Sequence, residues 1–295
     1  MIYSKLMRSL KENKFTISGE IDPPKGADRT TIIEQAEYLK DHVIASNVTD
    51  NPLGIVIMNT LVPCFIMQNE VGIEAVYQVT CRDRNRIAIQ SDILGAAALG
   101  LKNVLALTGD HPRMGDHPES KAVFDLDSVQ LTGLLRIMID EGKDMAGNEL
   151  KVAPKMHVGV GLSPGMRPLE PELIKFEKKI RAGAEFSQTQ VIYDSNILGE
   201  LRDETKDCGI PILVGIAPLK SLGMAKFMAK HVPGVVIPTD IMQRLEKSTN
   251  LKETTINITS ELLRNIKEVG FPGAHIMPVG MDYAVGEIIN RAGLK

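Results

Sequence analysis

Acceptor and amide side chains recur in this sequence where apolar runs give out. Asn103 to Pro112, NVLALTGDHP, shows the pattern most plainly. Val104 to Leu107 make a short apolar run suited to a strand buried on both faces. Thr108, Gly109, Asp110 and His111 follow at once, and Pro112 ends the stretch. In parallel α/β folds ligands bind where a strand leaves the sheet. Gly109 permits close approach of the backbone to a ligand, and Asp110 supplies an acceptor. The plainer alternative is a tight turn in which Asp110 caps the next segment. The same change of character follows other apolar runs, at Glu20 and Asp22, Thr49 and Asp50, Gln78 and Thr80, Gln188 and Gln190, and Asp194. Such groups are suited to hydrogen-bonding a heterocycle. A carboxyl kept protonated by apolar neighbours can act as a general acid, and Glu20 is the candidate. Its alternative is a strand-end charge paired with a lysine.

Other chemistries lack their residues. Gly159-x-Gly161-x-x-x-Gly165 departs from a dinucleotide fingerprint, because the third glycine is one residue late and Pro164 interrupts the helix start. There is no phosphate-binding GxxxxGK[ST], no HExxH and no GxSxG. The six histidines show no metal-ligand spacing, and no metal is expected. They read as surface or strand-end residues. Cys64, Cys81 and Cys208 are too few and too scattered for a disulfide framework, a zinc site or an iron–sulfur cluster. Three reduced thiols in a cytoplasm are expected. Lys175, Lys178 and Lys179 form a basic helix face, either solvated or in contact with phosphate. The methionines at 224–242 read as packing.

Composition removes further classes. The 295 residues are 43% hydrophobic and 24% charged, as in a soluble globular protein. A net charge of -3 gives no electrostatic case for nucleic acid or an anionic membrane. Aromatics make up 4%, without Trp, which argues against a stacking platform for single-stranded bases. Leu53 to Met67 is the most apolar stretch, but Asn59, Thr60 and Pro63 leave it short of a membrane span. The N-terminus has no signal-peptide core.

The elements that must position these residues alternate. A short lid helix is expected over 2–12. Strands are expected at Phe15–Ile21, Val43–Val48, Ala75–Thr80, Val104–Leu107, Lys155–Val160, Phe186–Ile192, Pro211–Ile216 and Ala274–Pro278. Helices are expected at 30–41, 56–69, 86–99, 127–142, 170–182, 196–207, 221–231, 238–269 and 283–292. About eight strand-then-helix units without a linker or composition break predict one α/β domain over 1–295, a (β/α)8 TIM-type barrel with a short N-terminal helix. An open doubly wound sheet is the competing architecture. In the barrel the polar strand ends converge on one mouth.

One ordered set of segments carries a resemblance over nearly the whole chain. It comprises Gly19-Glu20-Ile21-Asp22-Pro23-Pro24, Asn47-Val48-Thr49, Val79-Thr80-Cys81-Arg82-Asp83, Leu107-Thr108-Gly109-Asp110-His111-Pro112, Gly183-Ala184-Glu185-Phe186-Ser187-Gln188-Thr189-Gln190 and Gly215-Ile216-Ala217-Pro218-Leu219. The set resembles the methylenetetrahydrofolate reductase family. The resemblance implies a flavin-bearing barrel, with FAD rather than FMN, that reduces 5,10-methylenetetrahydrofolate to 5-methyltetrahydrofolate in one-carbon metabolism and methionine biosynthesis. It puts the general acid on Glu20 and folate contacts on Asp110 and Gln190. Flavin contacts fall on Thr49, on Leu107, Thr108, Gly109 and Asp110, and on Lys179. At three related positions the residue type differs: Gln78 stands for a flavin-contacting His, Lys178 for an Arg, and Leu222 for a Phe that stacks on folate or nicotinamide. Ser163-Pro164-Gly165 replaces a His-Pro-Glu segment. These changes leave the barrel and the acid intact and point away from NAD(P)H as the direct electron donor. Some members act beside an accessory iron–sulfur subunit, an arrangement that fits a chain without a cysteine cluster. A homo- or hetero-oligomer is expected. The alternatives are a pterin-binding methyltransferase barrel without flavin and a non-catalytic subunit of a one-carbon complex.

Overall fold

The apolar runs become eight parallel strands that pair in sequence order and close on themselves, in a computed structural model describing residues 1–294. They are β1 (Thr16–Ile21), β2 (Ala45–Val48), β3 (Glu74–Thr80), β4 (Asn103–Leu107), β5 (His157–Leu162), β6 (Phe186–Val191), β7 (Ile212–Ile216) and β8 (Gly273–Ile276). Closure is made by β1 against β8, with Thr16 opposite Gly273 and Ser18 opposite His275. The barrel is therefore the α/β architecture expected, and the open sheet is excluded. β5 begins two residues later than its apolar run suggests. The ladder starts only where the His157 amide donates to Lys102 O, at 2.8 Å.

Eleven α-helices lie among the described residues. They are α1 (Lys5–Lys11), α2 (Thr30–Leu39), α3 (Leu61–Ile66), α4 (Arg86–Ala98), α5 (Ser128–Arg136), α6 (Glu170–Arg181), α7 (Ser195–Thr205), α8 (Leu222–His231), α9 (Thr239–Glu246), α10 (Leu251–Val269) and α11 (Val285–Arg291). Two expected helices change. The stretch 56–69 becomes helical only at Leu61, where Asn59 Oδ1 accepts the Leu61 amide at 2.9 Å. Pro63 then sits in the first turn, where a missing donor is harmless. The long helix over 238–269 is two helices. Ser248 and Asn250 interrupt it by binding elsewhere: Ser248 Oγ pairs with Thr254 Oγ1 at 2.7 Å, and Asn250 Oδ1 caps the Glu253 amide at 3.2 Å. Such side chains compete with helix carbonyls and amides, and so favour caps.

Two apolar layers follow. Outward-facing residues such as Val104, Val158 and Val214 pack under Ile89, Leu131, Leu135 and Leu263 of the surrounding helices. Inside, Ala45, Val76, Leu105, Phe186 and Leu213 pack against Leu6, Met7 and Leu10 of α1. Gly159 is required there, since a Cβ would meet the Phe186 ring at 2.2 Å. α1 is thus not a lid. It plugs the end where the strands begin, and the Lys5 and Leu6 amides donate to Glu74 at 2.7 and 2.9 Å. None of the described helices is long and apolar enough to cross a membrane.

Candidate active site

Above the apolar plug the barrel interior turns polar. Alternation along β1 sends Ile21 outward and Ser18 and Glu20 inward. Asn47 and Gln188 exchange two amide hydrogen bonds, at 2.6 and 3.0 Å. The Gln188 amide also donates to Ser18 Oγ at 3.2 Å, and Ser18 Oγ lies 2.9 Å from His275 Nδ1. Glu20 stands on this layer. Its Oε2 accepts from Gln78 Nε2 at 3.0 Å and lies 3.4 Å from His275 Nε2. Among the described residues no lysine or arginine lies within ion-pair distance of Glu20, so the lysine-paired alternative does not hold. His275, one of the six histidines read as surface or strand-end residues, is buried inside the barrel.

Asp22 continues the inward series one step nearer solvent. Thr49 Oγ1 donates to its carboxylate at 3.2 Å, and Gln35 holds its main chain through both N–H and C=O, each at 3.1 Å. Packing against the strand ends removes water from the Asp22 carboxyl and pushes it up to about 6, although the residue keeps an exposed edge. The Glu20 charge pushes the same way, and the Thr49 hydroxyl opposes it.

Beside Glu20 opens a cavity of about 400 Å³, within the usual size for a small-molecule site. Gln78, Leu107, Thr108, Gly109, Asp110 and Gln190 all line it. Gly109 has φ +88°, and a Cβ there would lie 2.9 Å from Thr80 Cβ, so only glycine lets the backbone form this wall. Asp110 reaches sideways: its Oδ2 accepts the Leu53 amide at 3.0 Å, fixing the loop after β2, where Asn51 and Leu53 both have positive φ. The cap on the segment after β4 is made instead by His111, whose Nδ1 accepts the Arg113 amide at 3.2 Å. The Gln190 carboxamide folds back onto the Val191 amide at 2.9 Å.

The far wall is cationic. Lys179 is buried and donates to Gly161 O at 2.6 Å. Burial pulls it down to about 8, against the opposing attraction of Glu172 and with the push of neighbouring Lys175. Lys175, four residues earlier on the same helix face, also lines the cavity. Lys178 does not; it is exposed on α6, because adjacent helical residues point about 100° apart. Leu222 is also elsewhere. It opens α8 and packs with the cluster around Tyr193 and Ala225. Thr49 stands behind the mouth, facing Asp22.

Two residues hold the site together: Arg82, to which sequence reasoning gave no role, and Asp50, which it named only as a strand-end acceptor. Arg82 is buried, pairs with Asp83, and donates to the carbonyls of Asp50 and Asp110 at 3.3 and 3.5 Å. Asp50 accepts from Thr80 through both amide and hydroxyl, and from Arg84 through both terminal nitrogens at 2.7 and 3.0 Å. The CRDR sequence directly after β3 was the available signal. A phosphorylated heterocycle such as a flavin fits what remains open. Ser128 Oγ, at the start of α5, lines the cavity and is buried without a partner among the described residues, while Lys175 and Lys179 supply positive charge opposite the glycine wall.

The profile of the family described as "Methylenetetrahydrofolate reductase" matches residues 5–293. Maize "Methylenetetrahydrofolate reductase (NADH) 1" is 25% identical over 308 residues, covering 99% of this chain and 51% of the maize protein. Fission yeast "Methylenetetrahydrofolate reductase 2" is 25% identical over 242 residues, covering 78% of this chain and 37% of the yeast protein. "5,10-methylenetetrahydrofolate reductase" of Salmonella typhimurium is 26% identical over 240 residues, covering 77% of this chain and 74% of that protein. The chain thus spans about half or less of the maize and yeast relatives. Among solved structures, 2,3-dimethylmalate lyase, a PEP mutase/isocitrate lyase superfamily member, superposes with a TM-score of 0.56 at 13% identity, covering 99% of this chain and 89% of that one. That likeness speaks to the barrel alone.

Proposed function

The chain belongs to the methylenetetrahydrofolate reductase family, and on that premise we propose that its single barrel domain is an oxidoreductase converting 5,10-methylenetetrahydrofolate to 5-methyltetrahydrofolate with a bound flavin. Bound flavin supplies the hydride. The cavity wall of Leu107 to Asp110, with Gln78 and Thr49 nearby, would hold its ring system, and Lys179 with Ser128 its phosphate side. FAD is proposed over FMN.

The carrying observation is that Glu20 is bonded to Gln78, which lines this cavity, with no lysine or arginine at ion-pair distance among the described residues. Gln78 donates to its carboxyl and His275 faces it, so the carboxyl is aimed without being neutralised by a lysine. Opening the bridged substrate requires a proton at its aniline-like nitrogen, and Glu20 is the group to deliver it. A positioned acid typically contributes 10²- to 10⁴-fold. The cation so produced is favoured by the Asp110 carboxylate, fixed by the Leu53 amide. Gln190 would orient the pterin. Electrons are proposed to arrive from an accessory iron–sulfur subunit rather than from NAD(P)H, given Leu222 and Ser163-Pro164-Gly165. The maize relative's name, by contrast, specifies NADH. The chain is proposed to act in the cytoplasm, where the unpaired, buried Cys64 and Cys81 would stay reduced, and as part of an oligomer.

The test is direct. The purified chain should take up flavin, giving a yellow spectrum, and the reduced flavin should be reoxidised by methylenetetrahydrofolate. A folded chain that takes up neither FAD nor FMN overturns the reading.

A further inference from the structure

The loop after β2 carries an apolar surplus at the mouth. Leu53, Ile55, Val56, Ile57 and Met58 follow one another around Gly54, yet each is half-buried or exposed, and none joins the apolar clusters of the barrel. Such residues are usually covered. Backbone geometry and the loop after β4 hold them out. Asn51, Leu53 and Gly54 have φ of +47°, +56° and +72°. Glycine adopts that region freely, whereas Leu53 does so at a cost. The Leu53 amide donates to Asp110 Oδ2 at 3.0 Å, and Asp116, ion-paired with Lys25, takes the Val56 amide. The Met58 amide donates to Pro24 O at 3.0 Å. Gly54 rests on Gly115 backbone to backbone, since a Cβ on Gly115 would lie 2.1 Å from Gly54 O. No side chain interlocks at that contact. Among the described residues, the Asp110 bond is the hydrogen bond that ties residues 52–55 to another part of the chain. Pro52 and Asp110 both line the cavity of about 400 Å³.

We propose that residues 52–55 form a flap over this cavity, latched open by the Asp110 carboxylate and released when a bound heterocycle takes that carboxylate. The heterocycle is one with two adjacent N–H donors, the aminopyrimidine edge that a pterin presents. A carboxylate receives such a pair through both oxygens. Oδ2 then turns toward the ring and away from the Leu53 amide. Leu53 leaves the left-handed region, and its side chain, with Ile55, settles on the ring, so that apolar surface of both is removed from water. Asp110 stays aimed throughout, because the ring edge takes over the task of the Leu53 amide. Closure adds an apolar wall on the open side of the cavity and keeps water from the bound ring. Val56 and Met58, tied to Asp116 and Pro24, are the pivot. For the identity of the ligand this rests on the proposed function.

Two measurements test it. The chain has no Trp, so Ile55→Trp puts a single reporter on the flap. The flavin-loaded, oxidised protein is titrated with 5,10-methylenetetrahydrofolate, which finds no electrons there and stays intact. The Trp emission should move to shorter wavelength and be shielded from acrylamide, in step with the change in flavin absorbance that reports binding. The second measurement reads the latch without folate, by amide exchange of the 15N-leucine-labelled protein. Asp110→Ala should speed exchange of the Leu53 amide about tenfold, the factor one ordinary hydrogen bond supplies, and leave the other leucine amides unchanged. Asp110→Asn keeps an acceptor oxygen and should keep Leu53 slow. In the Ile55→Trp background, Asp110→Ala should show the short-wavelength emission before any ligand is added. Emission unmoved at saturating methylenetetrahydrofolate, a Leu53 amide as slow in Asp110→Ala as in wild type, or a Trp no less exposed in Asp110→Ala overturns the proposal. So does an emission shift that follows protein concentration rather than substrate, since a second copy then covers the loop. A flavin absorbance that never responds to methylenetetrahydrofolate refutes the proposed function instead, and the Asp110 variants then decide the flap by themselves.

Discussion

Replacing Glu20 by Gln separates chemistry from architecture. The amide oxygen of Glu20→Gln can still accept from Gln78 Nε2, a 3.0 Å bond in the wild type. The contact to His275 Nε2, at 3.4 Å, is long and contributes little. No lysine or arginine among the described residues loses a partner. Stability should therefore change by less than about 1 kcal/mol, the scale of one ordinary hydrogen bond. Flavin uptake and flavin reduction should be nearly intact, since neither needs the Glu20 proton. Reoxidation by methylenetetrahydrofolate should slow by about 10² or more, which is about 2.7 kcal/mol of transition-state stabilisation. Stopped-flow measurement of both half-reactions, with a thermal melt of the same sample, gives all three numbers. A folate half-reaction at the wild-type rate would refute Glu20 as the acid. A lower melting temperature with loss of flavin, and no specific effect on the folate step, would make Glu20 structural.

Four further outcomes are expected. Lys179→Met should weaken flavin binding at least tenfold by titration, while Lys178→Met, on the exposed face of α6, should leave it unchanged. Lys179 also predicts opposite pH trends. Its charge is lost as pH rises through about 8, so flavin affinity should fall there. Because the unfolded lysine holds its proton to about 10.4, the flavin-free chain should gain stability between these values, by up to roughly 3 kcal/mol, in urea melts. Gly159→Ala drives a Cβ into the Phe186 ring and should destabilise by about 1–3 kcal/mol or more in the same assay. Glu74→Ala strands the Lys5 and Leu6 amides, leaves Asn103 Nδ2 with its bond to Ala75 O, and should speed amide exchange across residues 5–11 while leaving flavin binding alone.

The barrel was legible because strands buried on both faces must be apolar throughout, and the runs at Val104 and Ile212 could be little else. Glu20 and Asp110 were legible because a polar residue ending such a run lies at the mouth. What escaped was three-dimensional. Whether residues 5–11 cover the mouth or plug the opposite end depends on Glu74, 69 residues from Lys5. Lys178 and Lys179 are adjacent in sequence, and the phase of α6 decides which one enters the cavity. Periodicity carried the hint, since Lys175, Lys179 and buried Phe176 share one side of the helix. His275 escaped because a histidine inside a barrel needs partners from other strands, and Ser18, Gln188 and Glu20 are visible as its partners only after closure.

The polar layer under Glu20 makes the barrel a dead end. Asn47, Gln188, Ser18 and His275 satisfy one another, and below them Phe186, Leu105 and Leu213 meet the apolar face of α1. That packing leaves the mouth as the approach to Glu20. If Glu20 is the acid, as proposed, a substrate seated at the mouth would stand between it and solvent, so discharge and recharge of the acid would take turns with the substrate. Product departure and restoration of the acid would then form a single ordered stage of the cycle, set by the shape of the barrel.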